Sequence, residues 1–447
     1  MARPTSRRVA SRRGREPRRS RGAIPLRRWL APVRRFLRIL GPGFITGASD
    51  DDPSGIGTYA SAGASLGYSA LWTAPLSFPM MAAVQFMCAK IGLVTGRGLA
   101  GVIREHYPRA VLYPVVITLA LANAVNAGVD IGAIAAAINI LVPIPIWVMI
   151  PPIALVILVM QIWGSYRLIT TIFKWLTLAL LAYIGASIFA RPAIEEVLRG
   201  TLLPTIRFDS TFLGMLVAIL GTTISPYLFF WQASEEVEEE ISIGRRTLRQ
   251  RKGATARELR TAAWDVQIGM LFSNLVMYFI ILATAATLHR AGHTEIRTAV
   301  EAAEALRPLA GNAASLLLAL GLIGSGFLAV PVLTGSSAYA LAEAFGWRRG
   351  LDEKPRRAPA FYAIIVLSTL FGILVDFAGI SPIRALVWVA VMYGFLSPPL
   401  LVLIMRIATD SRIMSTRVNS RGVTILGWGT TVVMFLAAAA LVTTWVR

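Results

Sequence analysis

One cysteine and three histidines in 447 residues leave little material for soft metal ligands. The single Cys88 excludes a disulfide framework and a thiolate metal cluster. None of His106, His289 and His293 is centred in an apolar run, which argues against an imidazole site. Charge is scarce too. Asp, Glu, Lys and Arg make up 15% of the chain, against about 25% in an average soluble domain. What is abundant is apolar sequence, 55% of residues with a mean hydropathy of +0.63. Apolar windows of about 20 residues recur along nearly the whole length, which is the pattern of an all-α polytopic membrane protein.

The net charge of +20 is uneven. Residues 1–38 carry 14 arginines against Glu16 alone. This composition predicts a disordered basic tail over residues 1–37, held on the cytoplasmic side near anionic lipid. Nucleic-acid binding and an organellar transit peptide are weaker alternatives. With no apolar core before Leu37, the tail does not read as a cleavable secretory signal.

Eleven spans are expected, near 38–62, 68–94, 111–141, 146–163, 169–190, 211–234, 264–289, 312–342, 359–379, 383–407 and 422–445. Loops after the even-numbered spans hold the basic residues. They include Arg97, Arg104 and Arg109; Arg245, Arg246, Arg249, Arg251 and Lys252; and Arg348, Arg349, Lys354, Arg356 and Arg357. The positive-inside rule therefore puts the N-terminus in the cytoplasm.

Two spans are interrupted at mid-membrane depth. The first carries GPGFITGASDDDPSGIGTYASAG from Gly41, with Asp50, Asp51 and Asp52 before Pro53. One aspartate at a helix centre in lipid costs about 2.5–3.5 kcal/mol on insertion scales. The second carries GTTISPY, Gly221 to Tyr227. The breaks lie five spans apart, as expected if spans 1–5 and 6–10 are inverted repeats whose unwound segments form an ion site at the midplane. The expected organisation is a first repeat over 38–190, a second over 211–407 and an eleventh helix over 422–445.

Pro53 disfavours helix at Asp52, and Gly55 eases an unwound turn, exposing carbonyls and a carboxylate. Such oxygens suit a hard cation. Asp52 is the best candidate for direct contact. Successive helical residues turn by about 100°, so Asp50 and Asp51 are read as supporting groups or as lining the access path. On span six, Thr222 and Ser225 supply hydroxyls, and Pro226 frees the Thr222 carbonyl. Tyr227 and Gln232 are candidate water-bridging groups. The acidic run that follows, with Glu235 and Glu236 nearest the membrane, is either a solvated face or a cation-attracting vestibule.

Residues 41–72 resemble the first span of the NRAMP divalent-metal transporters, which reads GPG, a short apolar stretch, DPGN, and then a GYSLLW-like run. Span six resembles that family's MPH helix, and LTGSSAYALAEAFGW, Leu333 to Trp347, is similar to its eighth span. The resemblance runs from about residue 38 to 445. It implies the LeuT-type fold of two inverted five-helix repeats plus an eleventh helix. It also aligns the family's metal-binding Asp with Asp52, its Asn with Gly55, its Met with Ser225 and its His with Tyr227. Two span-three acids of the family align with Asn126 and Val129, beside Asp130. The span-ten glutamine has no counterpart around Ala390 and Val391, and the arginine beyond the MPH motif is replaced by acids.

These departures share one chemical direction. Sulfur favours Mn²⁺, Fe²⁺ and later metals over Mg²⁺. Ser225 removes that preference, Gly55 enlarges the site, and Mg²⁺ binds with several waters retained. Loss of the His and the span-three acids removes stations for a proton. The pattern is closest to the NRAMP-related magnesium transporters. The expected metal ligands are Asp52, Thr222, Ser225 and the space at Gly55, with Mg²⁺ and Mn²⁺ as cargo, no cofactor, no enzymatic activity and a monomer in a bacterial inner membrane. The alternative is a proton-coupled Mn²⁺/Fe²⁺ transporter that uses Asp50, Asp51 or Asp130. An intramembrane aspartyl protease would need two facing carboxylates sharing a proton, and Asp130 and Asp376 do not sit in such a context. A metal sensor using the basic tail as its output is a further, weaker reading.

Overall fold

The computed structural model describes residues 41–164, 178–296, 299–307, 311–351, 353–377 and 382–446. The basic tail expected over 1–37 lies outside the described residues, as does part of span five. Among the described residues the regular structure is helical throughout. The first span is two helices, α1 (Pro42–Asp50) and α2 (Pro53–Leu66). Then come α3 (Thr73–Thr95), the short α4 (Leu99–His106), α5 (Arg109–Leu141), α6 (Ile146–Trp163) and α7 (Ala182–Phe189). The sixth span is again two helices, α8 (Ser210–Thr223) and α9 (Pro226–Ser242). After the short α10 (Leu248–Arg251) follow α11 (Ala256–Thr284), α12 (Ala314–Phe345), α13 (Pro359–Asp376), α14 (Pro382–Thr409) and α15 (Arg421–Val446).

Both interruptions are built alike. Each leaves two residues outside the helix, Asp51–Asp52 and Ile224–Ser225, and each resumes with proline at its first turn. Proline is tolerated there because its missing N–H would be unpaired in any case. The residue before each proline is extended, ψ 167° at Asp52 and 128° at Ser225, as steric clash with the ring requires.

Small residues let helices meet backbone to backbone, as lipid-embedded packing favours. A Cβ on Gly47 of α1 would lie 2.3 Å from the Gly269 backbone of α11, and one on Gly43 would lie 2.6 Å from the Val266 nitrogen. On the second break, a Cβ on Gly221 would meet the Ala390 carbonyl of α14 at 2.2 Å. Spans three and nine touch in the same way through Gly128 and Gly372. The broken first span packs on α11, span seven, while the second half of the broken sixth span packs on α3, span two. Exchanging spans 1 and 2 with 6 and 7 converts one contact into the other, as a pair of repeats demands.

Span seven is longer than its hydropathy suggested. It begins at Ala256, behind a capping box in which Thr255 and Glu258 satisfy each other's backbone, and runs on through a π-turn to His289. Asp265, at the edge of the expected span, lies well inside the helix. Its carboxylate accepts from the Gly41 N–H at 2.9 Å and the Gly43 N–H at 2.7 Å, capping α1 from a neighbouring span. His289 has a structural role, with its ring against Gly67 and Nδ1 on the Ala64 carbonyl at 2.7 Å.

Candidate functional site

Asp52 is the N-cap of α2. Its Oδ1 accepts from the Gly55 N–H and the Ser54 hydroxyl, both at 2.6 Å. Its Oδ2 accepts from the Asn126 amide at 3.1 Å and the Tyr227 hydroxyl at 3.4 Å. The Tyr227 hydroxyl also reaches the Ser49 carbonyl, 3.1 Å away at the end of α1. One carboxylate thus ties together both halves of span one, span three and span six. It is 1% exposed, as is Ser225, and Thr222 is 2% exposed, so this conformer closes the site to both faces of the protein.

The other two aspartates turn elsewhere. Asp50 accepts from the Ser273 hydroxyl of α11 at 2.6 Å, and Asp51 accepts from the same hydroxyl at 3.2 Å. Asp50 Oδ1 and Asp51 Oδ2 make no hydrogen bond among the described residues. Asp50 and Asp51 therefore form one pair facing span seven, and Asp52 faces spans three and six.

Oxygens converge at Gly55. A Cβ built there would lie 3.3 Å from the Asp50 carbonyl oxygen and 3.4 Å from both Asp52 Oδ1 and Thr222 Oγ1. Span six thus contributes the Thr222 hydroxyl on this side. The Ser225 hydroxyl turns back in this conformer, donating to the Thr222 carbonyl and, at 3.2 Å, to that of Gly221. Hydroxyls in membrane helices commonly do this, and it occupies the carbonyl that Pro226 leaves free. The Ile224 carbonyl is covered by the Ser397 hydroxyl of α14 at 2.7 Å.

Asn126, Tyr393, Ser54 and Ser273 complete the polar shell. The resemblance singled out Asn126 only as the replacement for an acid. In the structure it donates to Asp52, and its Oδ1 makes no hydrogen bond of good geometry, although the Tyr393 hydroxyl is close by. Tyr393 of α14 packs against Tyr227 with ring centroids 5.7 Å apart and donates to Asn123 at 2.9 Å. The signal for span three was available: Asn123, Asn126 and Asp130 fall at i, i+3 and i+7 of an apolar helix, on one face. Ser273 and Tyr393 carry no comparable signal, because an isolated hydroxyl in a span reads as ordinary packing.

Farther along α9, the Gln232 amide donates to Glu236 at 2.9 Å, both buried, and Glu235 is half-buried. The acidic run does not form one solvated face. Glu240 pairs with Arg245 at 2.8 Å, and Arg245 also pairs with Glu258. These two carboxylates hold the Arg245 guanidinium above its ordinary pKa.

A family model described as natural resistance-associated macrophage protein-like matches residues 43–444. The chain belongs to the Nramp family. Two divalent metal cation transporters named MntH, from strains of Klebsiella pneumoniae, are 28% and 29% identical over 401 residues, 88% of this chain and 90% of theirs. A crystal structure of the Eremococcus coleocola manganese transporter superposes with a TM-score of 0.70 at 19% identity, covering 93% of this chain and 87% of that one. A transporter of the nucleobase-cation-symport-1 family superposes at 0.58 with 14% identity, covering 91% of each chain. These likenesses give the fold, the LeuT-type pair of inverted five-helix repeats with an eleventh helix. An Nramp chain is a multi-pass membrane transporter, not an enzyme. Among the described residues, the side chains on the Asp52 carboxylate of this Nramp member are a serine, an asparagine and a tyrosine.

Proposed function

We propose that this protein carries divalent cations, Mg²⁺ and Mn²⁺, into the cytoplasm by alternating access, without moving protons. The reading rests on one observation. The groups that hydrogen-bond the carboxylate at the paired helix breaks are all neutral, and two of them, Tyr227 and Asn126, stand where the family resemblance places an imidazole and a carboxylate. Asp52, the Thr222 hydroxyl, the Asp50 carbonyl and the Asn126 carbonyl are hard oxygen ligands of the type Mg²⁺ takes. Both lone-pair sites of Asp52 Oδ1 are taken by protein donors. An ion therefore reaches Oδ2 by displacing the long Tyr227 bond, or meets the carboxylate through its own water. The second route suits Mg²⁺, which dehydrates reluctantly. Ser225 becomes a ligand if its hydroxyl swings from the Thr222 carbonyl as the break opens. Gly55 keeps the space for retained water. Gln232, Glu235 and Glu236 line the cytoplasmic side of the path, and Asp50 and Asp51 support the site from the side of span one that faces span seven.

The membrane potential supplies about 2.3 kcal/mol per charge per 100 mV, and twice that for a divalent ion. That gradient concentrates the cargo with no proton partner. The names of the relatives, divalent metal cation and manganese transporters, support the cargo class. The positive-inside pattern supports a cytoplasmic N-terminus in a bacterial inner membrane, and no partner beyond the ion and the bilayer is invoked.

The test is reconstitution in liposomes with a metal indicator and a pH dye inside. Mg²⁺ and Mn²⁺ should both enter under an inside-negative potential, with lumenal pH unchanged, and Asp52→Ala should reduce flux at least tenfold. Acidification that tracks Mn²⁺ entry, with Mg²⁺ excluded, would establish the proton-coupled Mn²⁺/Fe²⁺ alternative instead.

A further inference from the structure

At the C-terminal end of span six lies a pocket of about 690 Å³ whose lining includes none of the residues around Asp52. Its floor is the last turns of α9, with Val237, Ile241 and Ser242, and its walls are α10 and the connector from α12 to α13. Six basic side chains line it, Arg246, Arg251, Arg348, Arg349, Lys354 and Arg357, against two acids, Glu238 and Glu353. Trp347 closes one side, stacked on Phe345 at 4.8 Å and itself 42% exposed. Its volume falls within the range of about 300–1,000 Å³ typical of small-molecule sites.

The basic wall is held in place. A capping box from Thr247 and Gln250 forms α10, and the Gly253 N–H donates to the Val94 carbonyl at 2.8 Å, pinning this segment to the end of α3. Arg251 packs against Gly96, a residue at φ +65° where a side chain would be strained, and donates to the carbonyls of Gly96, Arg245 and Arg246. Arg349 is anchored by the buried Glu343 at 3.0 Å. Burial and the neighbouring Arg349 charge hold Arg251 below its ordinary pKa. Holding like charges together in a half-buried concavity costs free energy unless an anion joins them. Planar guanidinium forks match phosphate oxygens. Trp347, beside Val237 and Ile241 of α9 and stacked on Phe345 at the end of α12, is a side chain typical of the membrane–water boundary, and basic pockets between spans on the cytoplasmic side suit anionic headgroups.

We propose that this pocket binds a phosphate-bearing anion at the cytoplasmic membrane surface, clamped between Arg246 and Arg251 on one side and Arg348, Arg349 and Arg357 on the other. The binding is independent of which metal the transporter carries.

The test uses the full-length protein without added metal. Native mass spectrometry counts lipid retained from nanodiscs of phosphatidylcholine containing phosphatidylglycerol, and calorimetry titrates inorganic pyrophosphate into protein in neutral detergent. The variant R246Q/R348Q/R357Q removes three exposed charges. The control R260Q/R417Q/R421Q removes three that do not line the pocket. Retention of phosphatidylglycerol that falls at least tenfold in the first variant alone identifies a lipid headgroup as the occupant. Pyrophosphate binding with the same pattern, and no lipid retained, identifies a soluble phosphate. Equal binding by wild type and both variants, or no binding of either probe, overturns the proposal.

Discussion

Asp52 occupies a position where a bare carboxylate would be costly, and its four donors explain how the chain keeps it there. A buried charge is tolerated when hydrogen bonds replace its water, and here two of the donors come from the residues that follow it in sequence. The other two, Asn126 and Tyr227, come from distant spans, so the carboxylate acts as a junction between them. Gly55 matters in another way. Three oxygens face the space its missing side chain leaves, at 3.3–3.4 Å from a Cβ. Gly55→Asn should fill that space with a carboxamide and leave less room for a hydrated ion. We expect Mg²⁺ flux to fall at least tenfold relative to Mn²⁺ flux, measured by competition in the same vesicles. An unchanged ratio would mean that Gly55 does not set selectivity. Asp52 and Gly55 were legible in the sequence because proline and glycine announce the break. Tyr227 was a candidate from its place at the second break and Asn126 only the replacement for an acid; that both donate to Asp52, from 175 and 74 residues away, shows only after folding.

At the scale of elements, the break in span one works only if α1 is fixed independently of α2. Asp265 fixes its start, and the Gly43–Gly47 face fixes its flank against Gly269. Overpacking such a contact costs about 1–3 kcal/mol. Gly47→Ala should therefore lower the unfolding temperature by several degrees and reduce flux, with both read on purified, reconstituted protein. Gly214→Ala is the matched control, because a Cβ there would meet nothing closer than Leu441 at 3.8 Å, and it should leave both unchanged. Equal effects of the two substitutions would show that helix propensity, not the close approach, is responsible. The sequence marked the two breaks well and the start of span seven poorly. Arg257, Glu258 and Arg260 made its first turns look like loop, although Thr255 and Glu258 carried a legible capping signal. Hydropathy reads the depth of lipid, and a helix can extend beyond it.

For the whole molecule, the orientation in the membrane rests on loop charge and has a direct check. Cys88 is fully buried, so a Cys88→Ala background offers no competing thiol. In that background Arg246→Cys and His293→Cys place single exposed thiols on the loops after spans six and seven. A membrane-impermeant maleimide should label His293→Cys in intact cells and Arg246→Cys only after permeabilisation. The reverse pattern would invert the topology and with it the direction of uptake. Composition and periodicity by themselves determined that the chain lives in a bilayer and which two spans are broken, because lipid admits only backbone that satisfies its own hydrogen bonds or lines a polar cavity. What only the tertiary structure decided is how the three adjacent aspartates divide. Two share the Ser273 hydroxyl on span seven, and one meets spans three and six. That division depends on which helices the glycine faces allow to touch, a matter of packing between residues hundreds of positions apart.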